Sequence, residues 1–169
     1  YRVPDQAQVN IHFIDANNFE HQGWNWPWQT QLDYYFPLEH CQDAASTTLN
    51  AVASVQHELV HLIYINRDKN GVKALTEELM AYRAEECVRL ATQDSLTLTL
   101  PAWVEDYEDE NLMLVDMQNP YAGVPSGANK DAELSYRAAL LTTYRMYKHF
   151  GRRDLQPNRI AQNKIQAFC

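Results

Sequence analysis

Two histidines four residues apart, with a glutamate directly after the first, are the part of this sequence whose residue types and spacing can do chemistry: His57-Glu58-Leu59-Val60-His61. On a helix, residues i and i+4 project from one face, so both imidazoles can grip a single metal ion. The residue after the first histidine points to the side of that face. There the Glu58 carboxylate can reach a metal-bound water without itself being a ligand, which assigns it the role of general base.

A catalytic zinc needs a third protein ligand and an open position for water. The segment Glu77-Glu78-Leu79-Met80-Ala81-Tyr82 offers one on the next helical stretch. Ala81, a small residue one turn on from Glu78, would let two helices approach closely, which makes Glu78 the expected ligand and Glu77 the next choice. Glu105 and Glu108, in an acidic piece further on, are the fallback. Asp68 shares the Asp-Lys-Asn-Gly turn and reads as a turn residue. The plain reading of Glu77, Glu78, Glu85 and Glu86 is the solvated face of a charged helix, and it is expected to hold for most of the four.

The elements that must position these groups follow from periodicity. Asp43 or Ser46 can cap a helix carrying Leu49, Val52, Val55, Leu59, Leu62 and Ile63 at three- and four-residue spacing, stopping near Asn70-Gly71. A second helix is expected from about Lys73 to Ala91, with Leu75, Leu79, Cys87, Val88 and Leu90 as its apolar positions. A third runs from Lys130 or Asp131 to Phe150 and is stopped by Gly151, and a short helix follows Pro157. On the third helix Tyr136, Leu140 and Tyr147 read as a core stripe, and Glu133 and Arg137 as an i,i+4 ion pair.

Strand signals are sparse. Residues 8–15 alternate polar and apolar and end in a turn, and Leu96 to Leu100 reads as a short strand closed by Pro101. The stretch Phe19 to Pro37, with Trp24, Trp26 and Trp28, reads as a long ordered loop that packs over a core edge or lines a cleft. Trp103 to Asp116 is acidic and of helical character, and Gln118 to Asn129 is loop.

Composition narrows the function classes. At 169 residues, with 22 acidic against 14 basic side chains, the chain fits a single domain and shows no electrostatic footprint for nucleic acid. No stretch approaches the length of a membrane span. Cys41, Cys87 and Cys169 lie far apart with no CxxC, leaving at most one intramolecular disulfide and one thiol over. A start at Tyr1, without initiator Met or signal core, reads as a domain excised or processed from a longer chain. Oligomeric state has no signature in the sequence.

From Leu49 to Leu90 the chain resembles the zincin superfamily, specifically the gluzincins, in which a helix bearing HEXXH is followed by a helix supplying a glutamate. Sixteen residues separate His61 from Glu78, a little fewer than in the best-known gluzincins. The resemblance implies a mostly helical α+β zincin-like domain with a small N-terminal β element. It also implies a zinc (Zn2+) metallopeptidase acting on a protein or peptide substrate, with His57, His61 and Glu78 as ligands and Glu58 as base. In zincins a later Tyr, His or Arg commonly helps hold the oxyanion. Arg137 and Tyr144, seven residues apart on one face of the third helix, are the residues expected in that role, from a set that includes Tyr136, Tyr147 and His149. The compact chain is also similar to small secreted bacterial zinc peptidases that act as toxins or effectors, which implies export.

Two alternatives stand beside this reading. One is a non-enzymatic helical binding module with a closed, structural metal site, the fourth position filled by His40 or a second carboxylate. The other is a metal amidase: Gln56-His57-Glu58-Leu59-Val60-His61-Leu62 resembles the QHExxHL segment of peptide deformylases. That family's third ligand is a cysteine within an EGC segment, which the surroundings of Cys41 lack.

Overall fold

Helix α1 spans Ala44–Ile63 and α2 spans Gly71–Ala91, the two elements that carry the metal-binding signal. The computed structural model describes residues 8–14, 23–24, 31–37, 44–63, 71–92, 98–100, 102–110 and 115–169. His57 faces Glu85 while His61 faces Glu77, so α1 and α2 pack antiparallel, as a helical hairpin. Asp43, Asp68 and Asn70, the expected cap, turn and stop positions, lie outside the described residues, and Gly71 opens α2.

The buried face of α1 is not the apolar stripe expected from sequence. Among its described side chains Ala53, His57 and Val60 are buried, whereas Leu49, Val55, Leu59 and Ile63 are half-buried and Val52 is 50% exposed. The reason is that α1 lies between two neighbours, α2 on its histidine face and a strand on another side. Its apolar positions are therefore shared between two contacts instead of lining one.

That strand, β3 (Gln31–Pro37), corrects the expectation of a loop from Phe19 to Pro37. It pairs in parallel with β1 (Gln8–Ile14) and antiparallel with the two-residue β2 (Gly23–Trp24), in the order β1-β3-β2. The Trp- and Pro-rich residues before it obscure a run of strand formers, Leu32, Tyr34, Tyr35 and Phe36. Asp33 accepts a hydrogen bond from Asn10 at 3.0 Å and contacts His12 at 3.0 Å, linking β1 to β3 through side chains as well as backbone. Trp26 and Trp28 lie outside the described residues.

Helix α3 spans Lys130–Phe150 and begins and ends where the sequence says it should. Asn129 caps it by accepting from the backbone N–H groups of Asp131 and Ala132, and Gly151 closes it in the left-handed region at φ 66°. Its buried stripe is Leu134, Ala138, Leu141, Thr142, Tyr144, Met146 and Phe150. Tyr136, expected in the core, is 60% exposed, because the α2 contact falls on the neighbouring face.

Two apolar clusters join α2 to α3. One gathers Leu75 and Leu79 with Leu134, Ala138, Leu141 and Tyr144, sealed by Val104 and Val115. The other gathers Leu90 and Leu100 with Met146, Phe150, Leu155, Ile165 and Phe168. Each fully buried leucine in these clusters contributes about 1.5–3 kcal/mol of transfer free energy. The expected strand near Leu96 is seen as β4 (Leu98–Thr99), paired antiparallel with β5 (Asp154–Leu155), a partner not foreseen. The acidic piece forms a 3-10 helix at Ala102–Asp106, and the short final helix is α4, Gln162–Phe168.

The one disulfide open to the three cysteines joins Cys87 of α2 to Cys169; Cys41 lies outside the described residues. Beside it, Arg83 donates from Nε to the Phe168 carbonyl oxygen at 2.6 Å. Among the described residues the chain is thus mostly helical, with four α-helices and little strand, and no helix is long and apolar enough to cross a membrane. A disulfide closing a loop of this length stabilises a domain by about 2–4 kcal/mol. Cys87→Ser, or reduction under native conditions, is expected to lower Tm by roughly 5–15 °C, measured by calorimetry with and without dithiothreitol.

Candidate metal centre

The antiparallel hairpin of α1 and α2 turns the His57-His61 face onto the glutamates of α2. His57 Nε2 stands 3.6 Å from Glu78 Oε2, and His61 Nε2 stands 3.4 Å from Glu78 Oε1. One ligand atom from each of His57, His61 and Glu78 lies within 4.8 Å of the others, the arrangement that a shared cation requires. Bonds of about 2.0–2.1 Å at tetrahedral angles hold neighbouring ligand atoms about 3.3–3.4 Å apart. The imidazole–carboxylate spacings fall at or just above that separation.

A second observation fits a cation-binding site. Glu78 Oε2 is buried with no hydrogen-bond partner. An ionised carboxylate oxygen removed from water without a donor is costly, and a metal ion is one partner that would satisfy it.

Both histidines are oriented from behind. Glu85 Oε2 lies 3.1 Å from His57 Nδ1, and Glu77 Oε1 lies 2.8 Å from His61 Nδ1. Each Nδ1–H is therefore committed to a carboxylate, which leaves each Nε2 as the ring atom that faces Glu78. This carboxylate–histidine arrangement fixes the tautomer and raises the basicity of a metal-ligating imidazole. Glu85 is itself held by Arg89 at 2.6 Å, and Arg89 also pairs with Glu86 at 2.6 Å.

The solvated-face reading of α2 therefore fails for these glutamates. Glu85 is 9% exposed, Glu77 orients a histidine, and Glu86 is tied to Arg89. Sequence periodicity misses this because α2 is contacted by α1 on one side and α3 on the other, so charged positions as well as apolar ones are enclosed. Of the fallback ligands, Glu108 is exposed and the Glu105 side chain lies outside the described residues.

The electrostatics follow the geometry. Burial pulls His57 toward its neutral form, but the carboxylates of Glu78 and Glu85, with the charge of Glu58, outweigh it and push its pKa up to about 9. Burial would raise Glu78 and Glu85, yet His57 in both cases, joined by His61 for Glu78 and by Arg89 for Glu85, holds them below the usual carboxylate value. Glu58 behaves oppositely: burial dominates and pushes its carboxyl up, against the pull of His61 and His57.

Helix α3 contributes to this centre through a residue the sequence did not single out. Ser135 Oγ lies 2.8 Å from the Tyr82 hydroxyl and also helps keep the Glu78 carboxylate ionised. The Tyr82 ring meets His57 edge-on at 4.5 Å between centroids, and burial raises the pKa of its phenol. The two residues expected to hold an oxyanion serve elsewhere. Arg137 donates from Nη1 to the carbonyl oxygens of Pro120 and Ala122, both at 2.8 Å, and pins the loop before α3. Tyr144 is 3% exposed within the Leu75 cluster, with Lys148 over its ring.

The chain matches no protein-family model, no curated protein and no solved structure, so a functional reading stands on the geometry of the site and the sequence that builds it.

The two layers of carboxylates have separable consequences. Glu78→Gln is expected to weaken metal affinity by at least about 100-fold, and Glu85→Gln by about 10- to 100-fold, read by competition with a chromophoric chelator. Because the folded pKa of His57 lies above the 6.5 of the free side chain, its contribution to metal-free stability is complete below pH 6.5 and lost as pH rises through 9. The metal-free protein is expected to lose Tm across that window, and His57→Gln to remove that dependence. Metal binding displaces the same proton, so affinity should climb with pH over the same window, by up to roughly tenfold per unit.

Proposed function

We propose that this protein is a zinc-dependent metallopeptidase. The observation that carries the reading is the convergence of His57 Nε2, His61 Nε2 and the Glu78 carboxylate, whose Oε2 has no hydrogen-bond partner, next to a half-buried glutamate whose pKa is raised. Zinc held by two imidazoles and a carboxylate supplies a Lewis acid and acidifies its water to a pKa near 7.

Each remaining part of the reaction falls to a side chain of the chain itself. Glu58, whose carboxyl burial pushes above the usual carboxylate range, takes the proton of the attacking water and returns it to the leaving amine nitrogen. Glu85 and Glu77 hold the imidazoles in register. Tyr82, kept protonated by burial and packed against His57, takes the oxyanion-donor role first expected of Arg137 and Tyr144. The zincin-like arrangement of α1 and α2 is part of the same proposal. The Cys87–Cys169 disulfide favours an oxidising compartment and, with it, the exported peptidase reading.

Metal content by mass spectrometry on wild type and Glu58→Gln, together with cleavage of a denatured protein substrate, tests the assignment. Both proteins should carry about one zinc, and the variant should cleave about 100- to 10,000-fold more slowly. Equal cleavage by both would remove Glu58 from the mechanism. One zinc in each with no cleavage by wild type would favour a structural metal site, and no metal in either would end the proposal.

A further inference from the structure

A second face of α2 borders a pocket that the metal chemistry does not use. Leu79 and Arg83, four residues apart, share one stripe of the helix, about 100° around its axis from the stripe of Glu78 and Tyr82. With Thr142, Arg145 and His149 of α3 and Ala167 and Phe168 of α4, they line a cavity of about 260 Å³. That is the liquid volume of about nine waters, enough for a small organic molecule.

The polar groups in this pocket are unevenly satisfied. Arg145 is neutralised by Glu110 through two bonds of 2.7 and 3.0 Å, and His149 is engaged by the Lys164 carbonyl oxygen at 2.8 Å. Arg83 uses only Nε, toward the Phe168 carbonyl oxygen, while its guanidinium lies 5.6 Å over the Phe168 ring. Among the described residues no carboxylate pairs with it. Thr142 is 4% exposed, and its hydroxyl has no hydrogen-bond partner among the described residues. A hydroxyl on the pocket wall that no described residue engages is open to a ligand, and a guanidinium with both terminal amino groups available is suited to a carboxylate.

We propose that this pocket is a binding site for a small organic monocarboxylate with a compact apolar body. The charge follows from one guanidinium left uncompensated. The apolar body follows from the walls supplied by Leu79, Ala167 and Phe168, which a bare inorganic anion would leave unfilled. Thr142 donates to or accepts from the polar end of the ligand at the buried side, and Arg83 closes over the carboxylate from the rim. The site is separate from the metal centre, and its occupancy needs no peptidase activity.

Calorimetric titration of the full chain with N-acetyl-leucine, N-acetyl-leucinamide and inorganic phosphate tests the assignment. The carboxylate should bind saturably, its amide should not, and phosphate should bind at least tenfold more weakly. Arg83→Gln should weaken the carboxylate at least tenfold and Thr142→Val severalfold, while Glu58→Gln leaves it unchanged. Should Arg83→Gln loosen α4 and lower Tm, the shape-conserving Thr142→Val variant decides. The proposal is overturned if no saturable binding is seen, if neither pocket variant changes it, or if phosphate binds as tightly as the carboxylate. Binding unchanged in both pocket variants would place the carboxylate at the metal centre instead.

Discussion

The contact between the imidazoles of α1 and the carboxylates of α2 is the constraint around which the described structure is arranged. Two histidines and three glutamates, Glu77, Glu78 and Glu85, meet in a largely enclosed seam, where unpaired charges would each cost several kcal/mol. The seam is tolerable because each imidazole Nδ1 has a carboxylate, Glu85 from behind His57 and Glu77 from behind His61, and Glu85 is paired in turn with Arg89. Glu78 Oε2, which has no hydrogen-bond partner, marks where the cluster is incomplete as a set of protein groups.

Holding such a seam closed requires that α2 be fixed from its other side. The Leu75 and Leu90 clusters bind α2 to α3 over most of its length, and Cys87–Cys169 with the Arg83–Phe168 contact ties it to α4. Apolar burial thus does for the site what the charged groups cannot do for themselves. It supplies the free energy that offsets their desolvation and sets the helix at one rotation, so that Glu78 faces both Nε2 atoms. The same rotation places Leu79 and Arg83 toward α3 and α4, which is why one helix can border two chemically different sites.

Burial also sorts the carboxylates into roles. Glu78 and Glu85 sit against His57 and are held ionised, whereas Glu58, equally enclosed but dominated by desolvation, is pushed toward the protonated form. Divergent environments for neighbouring carboxylates are how a site assigns one to hold charge and another to move a proton.

The sequence by itself determined the local parts. The His57-Glu58-x-x-His61 spacing fixes which side chains share a helical face, Asn129 and Gly151 fix where α3 starts and stops, and the small Ala81 allows a close approach next to Glu78. These are properties of one segment and its backbone, so no neighbour is needed to read them. What only the tertiary structure decided are matters of which face meets which element. That Glu85 and Glu77 orient histidines, that Tyr82 rather than Tyr144 lies against His57, that Arg137 holds a loop, that Cys87 pairs with Cys169, and that Gln31–Pro37 is a strand all depend on partners distant in sequence. Periodicity gives a helix its stripe but not the rotation and neighbours that choose between enclosing it and leaving it in water. For α2, contacted on two sides, that choice reverses the plain reading of its glutamates.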